Sequence, residues 1–231
     1  SEKTDGGTLI LAGQNTYSGG TTISGGVLSV SVDAYLGAAG SGIALNNGTL
    51  RITGTTLTNL DNRTLSLGTA GVLDIADAGH SFTLSHGLNG GGAFARQGDG
   101  SLSVSGDNSY TGAATVESGI LKAGSADALV QNSDYQVNGG TRDLSGLDLA
   151  VSSLAGTGGQ IALGSGSLLV DQSSDTDYAG AINGSGGLTK EGNGTLILSG
   201  TNGYTGGTVL NAGTLQAGSA TAFVQNQSYL V

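Results

Sequence analysis

Short apolar runs separated by small polar residues recur along the chain. Each run is three to six residues long, is rich in Leu, Ile, Val and Thr, and is bounded by Gly, Asn, Ser or Asp; examples are TLILA at 8–12, TLRIT at 49–53, SLLV at 167–170 and TLILS at 195–199. This length and composition are typical of β-strands. No segment of ten residues combines helical spacing with helix-forming residues, so the pattern predicts an all-β fold.

Glycines that open these runs recur at nearly constant spacing. They form four series with internal intervals of about 19–23 residues: Gly7 to Gly92, Gly100 to Gly140, Gly166 to Gly187, and Gly194 to Gly213. A helix-free period of about 20 residues predicts a parallel β-helix, a solenoid in which each strand pairs with its equivalent one rung away. A chain of 231 residues then makes roughly ten rungs.

One stretch occurs three times, at Gly7–Val30, Gly100–Ala123 and Gly194–Ala217. Each copy opens with a Gly and a strand, continues with Gly-x-Asn-x-Tyr, and begins a second strand at a second Gly. The recurring positions are Gly7, Asn15 and Tyr17, then Gly100, Asn108 and Tyr110, then Gly194, Asn202 and Tyr204. We predict structural roles for them: the glycines form corners, each Asn satisfies turn backbone, and each Tyr packs over a corner with its hydroxyl hydrogen-bonded.

The spacing between the tyrosines of successive copies, about 94 residues, is close to the size of an immunoglobulin-like domain. Several small repeated β-sandwiches are therefore the alternative to the solenoid. The dominant period of about 20 residues, the absence of Trp and an aromatic content of 4% argue against them. We interpret residues 1–231 as one β-helix segment with copies starting at residues 7, 100 and 194.

Composition excludes several classes of partner and chemistry. The chain carries 17 acidic and 7 basic residues, for a net charge of −10, and the bases are scattered. No basic patch is present, so nucleic acid and anionic membranes are not expected as partners. There is no Cys, which removes disulfides and thiolate metal sites. The first residue is Ser and no signal peptide is recognisable, so we expect the sequence to be a segment of a longer protein.

A search for catalytic or metal-binding groups finds no recognised motif. His80 and His86 lie near Asp74 and Asp77 in sequence, but their spacing matches no metal site, and surface histidines flanking a strand are the favoured interpretation. Gly164-Ser165-Gly166-Ser167 is interpreted as a Gly/Ser corner. The prediction is therefore no catalytic residue, no cofactor and no metal.

Acidic residues offer a second set of candidates. Asp171, Asp175 and Asp177 lack the calcium-loop pattern and are interpreted as a solvated loop. Carboxylate pairs of the kind used by polysaccharide-cleaving β-helices would have to form between neighbouring rungs. The pairs considered are Asp143 with Asp148 and Asp74 with Asp99.

The repeated stretch resembles the passenger-associated transport repeat of bacterial autotransporters. Gly194–Ala217 matches that motif almost throughout, Gly7–Val30 nearly as well, and Gly100–Ala123 departs at Ala113-Ala114, where the motif has Gly-Thr. The resemblance implies a right-handed parallel β-helix of a type V secreted protein, exposed on the bacterial surface or secreted. It also implies a C-terminal outer-membrane barrel in the full-length protein, outside this sequence.

Three functions fit that resemblance. The leading hypothesis is a non-catalytic adhesin or self-associating rod, whose partners are molecules of a host cell or a neighbouring cell. The alternatives are a stalk and folding scaffold for a separate protease or esterase domain, and a polysaccharide-active β-helix enzyme. Because the repeated residues are explained by corners and core, we expect a specific binding surface in the non-repeated rungs, especially Leu57–Phe94 and Arg142–Ala181.

Overall fold

The computed structural model describes residues 1–60, 63–224 and 228–230. In these residues the chain is an all-β parallel solenoid of about 11 turns, as the glycine spacing predicts. Secondary structure other than strand is limited, in the described ranges, to two short 3₁₀ turns, Asp33–Leu36 and Ala126–Ala128. None of the helical segments in these ranges has the length and apolar character needed to cross a membrane. The predicted right-handedness stays a prediction.

The chain divides into two compact units, which are described separately: residues 1–112 with 119–128, and residues 113–118 with 129–231. The interpretation of the whole chain as one β-helix segment stays a prediction.

Unit 1 contains three parallel ladders. The first is β1 (Glu2–Lys3), β3 (Thr21–Ile23), β5 (Ile43–Leu45), β7 (Leu65–Leu67), β10 (Leu88–Gly90) and β13 (Ser109–Tyr110). The second is β2 (Thr8–Ile10), β4 (Val27–Val30), β6 (Gly48–Ile52), β8 (Ala70–Ile75) and β11 (Ala93–Gln97). The third is β9 (Ser81–Leu84), β12 (Ser101–Val104) and β15 (Ile120–Ala123).

Unit 2 also contains three parallel ladders. The first is β14 (Ala114–Val116), β16 (Ser133–Val137), β18 (Leu149–Ala155), β20 (Leu168–Asp171), β23 (Leu188–Glu191), β26 (Thr208–Leu210) and β28 (Tyr229–Leu230). The second is β17 (Thr141–Asp143), β19 (Gln160–Gly164), β22 (Ala181–Gly184) and β25 (Gly203–Tyr204). The third is β21 (Thr176–Tyr178), β24 (Thr195–Leu198) and β27 (Thr214–Ala217).

Aliphatic side chains stack inside each unit in columns that follow the ladder register. In β4, β6 and β8 the inward residues Leu28, Leu50 and Leu73 are direct neighbours, and each is at most 1% exposed. Alternate residues of a strand point to opposite faces, so the flanking positions face outward and are more accessible. The interior is therefore narrow and built from Leu, Ile and Val with few aromatic rings.

Candidate interaction surface and the repeat that supports it

Each copy of the repeat forms one turn whose last strand lies beside its first. β2 pairs with β4 through Thr8 and Val27, β12 with β15 through Ser101 and Ile120, and β24 with β27 through Thr195 and Thr214. In all three pairings the offset between the partners equals the interval between the two glycines of the copy. The repeat is thus the length of chain that closes one turn.

The repeated asparagines connect neighbouring turns. Asn108 accepts a hydrogen bond from the Leu88 amide (2.7 Å) and donates to the Ala128 carbonyl (2.8 Å). Asn202 does the same with the Ile182 amide (2.8 Å) and the Ala222 carbonyl (2.7 Å). Each of these partners is 20 residues away in sequence, on the turn before or after. The side chain therefore holds three successive turns in register.

Asn15, in the first copy, makes part of this pattern. Its side-chain amide donates to the Tyr35 carbonyl 20 residues ahead (2.7 Å) and to the Gly13 carbonyl (3.2 Å). Sequence analysis predicts that the asparagine satisfies turn backbone, without saying which turn. Across the copies the main partners belong to neighbouring turns, including the 3₁₀ turns Asp33–Leu36 and Ala126–Ala128.

The repeated tyrosines lie at the same corner with graded burial. Tyr204 is fully buried and its hydroxyl shares a hydrogen bond with Thr208 Oγ1 at 2.6 Å; Tyr17 is half-buried and shares one with Thr21 Oγ1 at 2.9 Å. In the second copy the position equivalent to this Thr is Ala114, and the Tyr110 ring packs 5.9 Å from Phe94. Burial raises the pKa of Tyr204. Tyr110 and Tyr204 are therefore part of the packed interior, and Tyr17 is half-buried with its hydroxyl hydrogen-bonded.

The glycines that open the second and third copies lie against the backbone of the previous turn. A Cβ added at Gly100 would come within 2.8 Å of the Asp77 carbonyl oxygen, and one added at Gly194 within 2.4 Å of the Ser174 carbonyl oxygen. Gly7 is exposed and has ordinary space around it. The glycine is needed where two turns approach closely.

The interpretation of His80 and His86 as surface histidines is right for one residue and wrong for the other. His86 is exposed, as predicted, but His80 is only 1% exposed, with Nε2 2.8 Å from the Leu57 carbonyl oxygen and its ring edge-on to Phe82. The preceding segment lies against this turn, since Leu57 contacts His80 and Asn59 forms a parallel bridge with Thr83. Asp77, near both histidines in sequence, accepts a hydrogen bond from the Gly54 amide at 2.7 Å and so also holds that segment.

The acidic residues of the Asp171–Asp177 segment are also placed differently from the prediction. Thr176–Tyr178 is strand β21 rather than a loop. Asp175 accepts a hydrogen bond from the Thr195 amide (2.7 Å), which lowers the pKa of this carboxyl, and Asp177 accepts one from Ser199 Oγ (2.7 Å). Both carboxylates are therefore used to join consecutive turns.

The proposed carboxylate pairs are likewise engaged in structural contacts. Asp143 accepts from the Ser145 amide and Asp148 from the Ser167 amide. Asp74 is buried and paired with Arg51 at 2.6 Å, whereas Asp99 is exposed. Among the described residues no three His, Cys, Asp or Glu side chains are grouped as metal ligands would be. The Ser165 corner is solvent-exposed and includes Gly164 at a φ of 64°.

Sequence analysis missed the location of the basic residues. Five of the seven are buried: Lys3, Arg63, Arg96, Arg142 and Lys190. Because these five side chains lie inside and Asp74 is the buried acid of the described core, the accessible charges are mainly carboxylates. The alternation of buried and exposed positions along a strand could have predicted this burial. Arg96 lies two residues after the buried Phe94, and Lys190 lies two residues after the buried Leu188, so each base falls on the inward face of its strand.

The outward positions of unit 1 form a polar column on the first ladder. Thr22, Ala44, Ser66 and Asn89 follow one another in register from β3 to β10, and Ser109 continues the column on β13. Ser109 Oγ donates to Asn89 Oδ1 at 2.7 Å. Beside this column is an open groove of about 470 Å³, lined mainly by Gly, Ser and Thr of residues 18–22, 40–44, 64 and 66.

Unit 2 carries outward grooves of similar size. One of about 400 Å³ is lined by Gln131, residues 148–150, Ser167, Leu169 and Thr189. The other, about 420 Å³, is lined by Gln136, Asn138, residues 155–157, Asp177 and Ala179. Both draw on the non-repeated segment Arg142–Ala181. The expectation of a binding surface in that segment and in Leu57–Phe94, two residues of which lie outside the described ranges, stays a prediction.

Together the fold and the repeat define a class: a stacked-repeat β-solenoid whose recurring residues hold the turns together. The family model described as passenger-associated-transport-repeat matches residues 2–30, 94–123 and 188–217. A curated relative, described as adhesin BmaC autotransporter of Brucella suis biovar 1 (strain 1330), is 40% identical over 225 residues, which cover 89% of this chain and 6% of the relative.

The matched repeats and the identity to this relative indicate an autotransporter passenger domain, as the resemblance implies. It spans about 6% of the length of the curated relative it matches. No solved structure matches it.

Proposed function

We propose that this chain is a non-catalytic part of an adhesive autotransporter passenger, exposed on the bacterial surface or secreted, that contacts host or neighbouring-cell molecules through its outward side chains. The observation that carries the proposal is the 40% identity, over 225 residues, to a protein described as an adhesin autotransporter. The placement of the acidic residues supports it, since Asp143, Asp148, Asp175 and Asp177 all accept structural hydrogen bonds.

The outward column of unit 1 suits weak, repeated hydrogen bonding. Ser66, Asn89 and Ser109 are exposed and occupy successive turns, which are separated by about 4.8 Å in a parallel ladder. Hydroxyl and amide groups donate and accept equally well, so another copy of the chain or a hydroxyl-rich glycan finds a periodic set of partners. Affinity then depends on the number of turns engaged rather than on one pocket.

Charge limits which partners this surface takes. The chain has a net charge of −10, and most of its bases are interior, so a second copy or an anionic cell surface meets carboxylates. Salt screens such repulsion over about 10 Å at 0.1 M. Adhesion or self-association of this chain should therefore strengthen as ionic strength rises, whereas binding to a cationic partner would weaken.

The test displays the 231-residue chain on a non-adherent bacterium and measures settling of the cells and attachment to host cells from low to physiological salt. We expect both to exceed those of cells displaying an unrelated solenoid. The triple variant Ser66→Asp, Asn89→Asp, Ser109→Asp should reduce the effect, while the same change at the outward Ser81, Ser101 and Thr83 of the third ladder serves as the control. Settling and attachment equal to those of the unrelated solenoid would overturn the proposal, and turnover in a polysaccharide-cleavage screen would overturn its non-catalytic part.

A further inference from the structure

Three of the buried bases hold the same position in the three copies. Lys3, Arg96 and Lys190 each lie four residues before the glycine that opens a copy, and they are 6%, 0% and 0% exposed. Two are in unit 1 and one is in unit 2. A charged side chain is rarely buried unless it is hydrogen-bonded on all sides, so a threefold recurrence needs a specific explanation.

Each base replaces an aliphatic residue in an interior column. Arg96 is the ladder neighbour of Leu73, which continues the Leu28–Leu50–Leu73 stack. In unit 2, Lys190 is the neighbour of Val170 on one side and of Leu210 on the other. The stems of these side chains therefore pack in apolar surroundings, while their charged ends extend to the corner that follows.

Backbone carbonyls receive the charged ends. Lys190 Nζ donates to the carbonyl oxygens of Glu191 and Gly192, the latter at 2.9 Å. Arg96 donates to the carbonyls of Gly98 (3.1 Å) and Gly100 on its own corner, and to that of Ile120 (3.3 Å) on the next turn.

Lys3 makes the same kind of contacts in the first copy. It donates to the carbonyl of Asp5 on its own corner and to that of Gly25 on the next turn (3.4 Å), and its Nζ also pairs with the exposed Asp5 carboxylate. The shared feature of the three copies is a cation satisfied by the carbonyls of the corner that follows it.

The second glycine of each copy closes over the same carbonyls. Gly26, Gly119 and Gly213 all have positive φ, at 61°, 64° and 73°. A Cβ at Gly119 would lie 2.4 Å from both Arg96 Nη2 and the Gly98 carbonyl oxygen, and one at Gly213 would lie 2.3 Å from the Gly192 carbonyl oxygen. The base, its carbonyls and this glycine form one compact arrangement, which we name the carbonyl clasp.

We propose that the carbonyl clasp is the unit that closes each transport repeat, with Lys3, Arg96 and Lys190 acting as positioning residues for the corner. The cation supplies a further donor to the carbonyls of the corner, two of which, Gly100 and Glu191, also accept the amides of Ile120 and Gln172 on neighbouring turns. It does so from the interior side of the corner. Burial lowers the pKa of Arg96 to about 10 and also lowers that of Lys190, in agreement with side chains that leave solvent. The proposal concerns how the repeat is built and does not depend on adhesion.

Chemical labelling of the unmodified protein gives the first test. The chain has three lysines, and Lys122 is exposed whereas Lys3 and Lys190 are buried. Treatment of the folded chain with acetic anhydride, followed by peptide mass spectrometry, should acetylate Lys122 at least about tenfold faster than Lys190, since a buried amine reacts only on opening. Equal rates for Lys122 and Lys190 would overturn the proposal.

Substitution gives the second test. Lys190→Met keeps the apolar stem and removes the donors, Lys190→Arg keeps them, and Lys122→Met is the exposed control. Loss of the Nζ donors to the half-buried Glu191 and Gly192 carbonyls should speed amide hydrogen exchange at Gly194 and Thr214 by about tenfold or more in Lys190→Met. Lys190→Arg should stay within about threefold of the parent, because Arg occupies this position in the second copy.

Each result of the substitution test decides the matter. Exchange in Lys190→Met as slow as in the parent would show that the stem alone fixes the corner, and the clasp would be rejected. Exchange in Lys190→Arg as fast as in Lys190→Met would equally reject the role of the cation. If Lys190→Met does not fold, Arg96→Lys replaces it: exchange at Ile120, whose carbonyl accepts from Arg96, should stay within about threefold of the parent, and a larger change rejects the clasp.

Discussion

Replacing Asn202 by Ala removes a side chain that joins three consecutive turns of unit 2. Its carbonyl oxygen accepts from the Ile182 amide at 2.8 Å and its amide donates to the Ala222 carbonyl at 2.7 Å. Asn202 is 7% exposed, and both hydrogen bonds are buried. Water therefore has little access to the two backbone groups that the substitution leaves unpaired.

The expected loss of stability follows from those two groups. A buried donor or acceptor left without a partner costs about 1–3 kcal/mol, so Asn202→Ala should lower the free energy of unfolding by about 2–6 kcal/mol. Asn15→Ala is the matched control, because the half-buried Asn15 donates to carbonyls of residues 13 and 35 and lies in the first copy. We expect it to cost about 1 kcal/mol, the ordinary net value of a hydrogen bond.

Urea unfolding monitored by circular dichroism measures the global effect, and amide hydrogen exchange measures the local one. Exchange is needed because stacked repeats can open independently of the rest of a solenoid. The Ile182 amide should exchange at least about tenfold faster in Asn202→Ala, and Asn202→Asp should largely restore its protection because a carboxylate still accepts from it. Equal costs for Asn202→Ala and Asn15→Ala, or an unchanged Ile182 amide, would refute the role assigned to the asparagine.

Three further substitutions test other parts of the structure. Gly213→Ala should cost about 2–3 kcal/mol or more in urea unfolding, against about 1 kcal/mol for Gly54→Ala, because both glycines have positive φ but only the former is crowded by the previous turn. Arg63→Met should cost about 2–6 kcal/mol, since it removes the buried donors to the Leu36 and Gly37 carbonyls, while Lys122→Met should be near neutral in the same assay. Burial raises the pKa of Tyr178, so the folded state keeps a proton that the unfolded state releases above about pH 10. Stability from this group is full below that pH and falls as pH rises further, so Tyr178→Phe should flatten the loss measured by unfolding at about pH 9 to 11.

The regular part of the fold could be predicted because every turn has the same steric requirements at its corners and strands. A corner needs Gly, and a strand needs Leu, Ile, Val or Thr. The lengths of the corners and strands add up to the number of residues in one turn. The interval between Gly100 and Gly119 in the sequence is also the offset at which Ser101 pairs with Ile120. The spacing of the glycines in the sequence equals the offset between paired strands in the ladder, so this spacing alone predicts the solenoid.

The contacts between turns could not be predicted in the same way. A sequence shows that Asn108 suits a turn, but only the register of neighbouring turns reveals that its partners are Leu88 and Ala128. The burial of His80 could not be predicted for the same reason. It depends on residues 54–60, which lie against His80 where other turns have a strand. Thr176–Tyr178 forms a short strand, but its acidic neighbours make this stretch of sequence resemble a loop.

Net charge does not reveal which charged side chains are buried and which are exposed. A count of 17 acids and 7 bases suggests a mixed surface, yet five of the bases are buried. Lys3, Arg63, Arg96 and Lys190 donate to carbonyls or carboxylates of the same unit, and Arg142 lies 5.7 Å from the Tyr135 ring. A partner touches only outward side chains, so the chemistry it meets is mainly Ser, Thr, Asn and carboxylate. The residues shared by the three copies face the interior or the corners, and they specify the turn; the outward positions carry no such constraint. A repeat of this kind therefore identifies the class of protein, while the ligand must be sought among side chains that the repeat leaves free to vary.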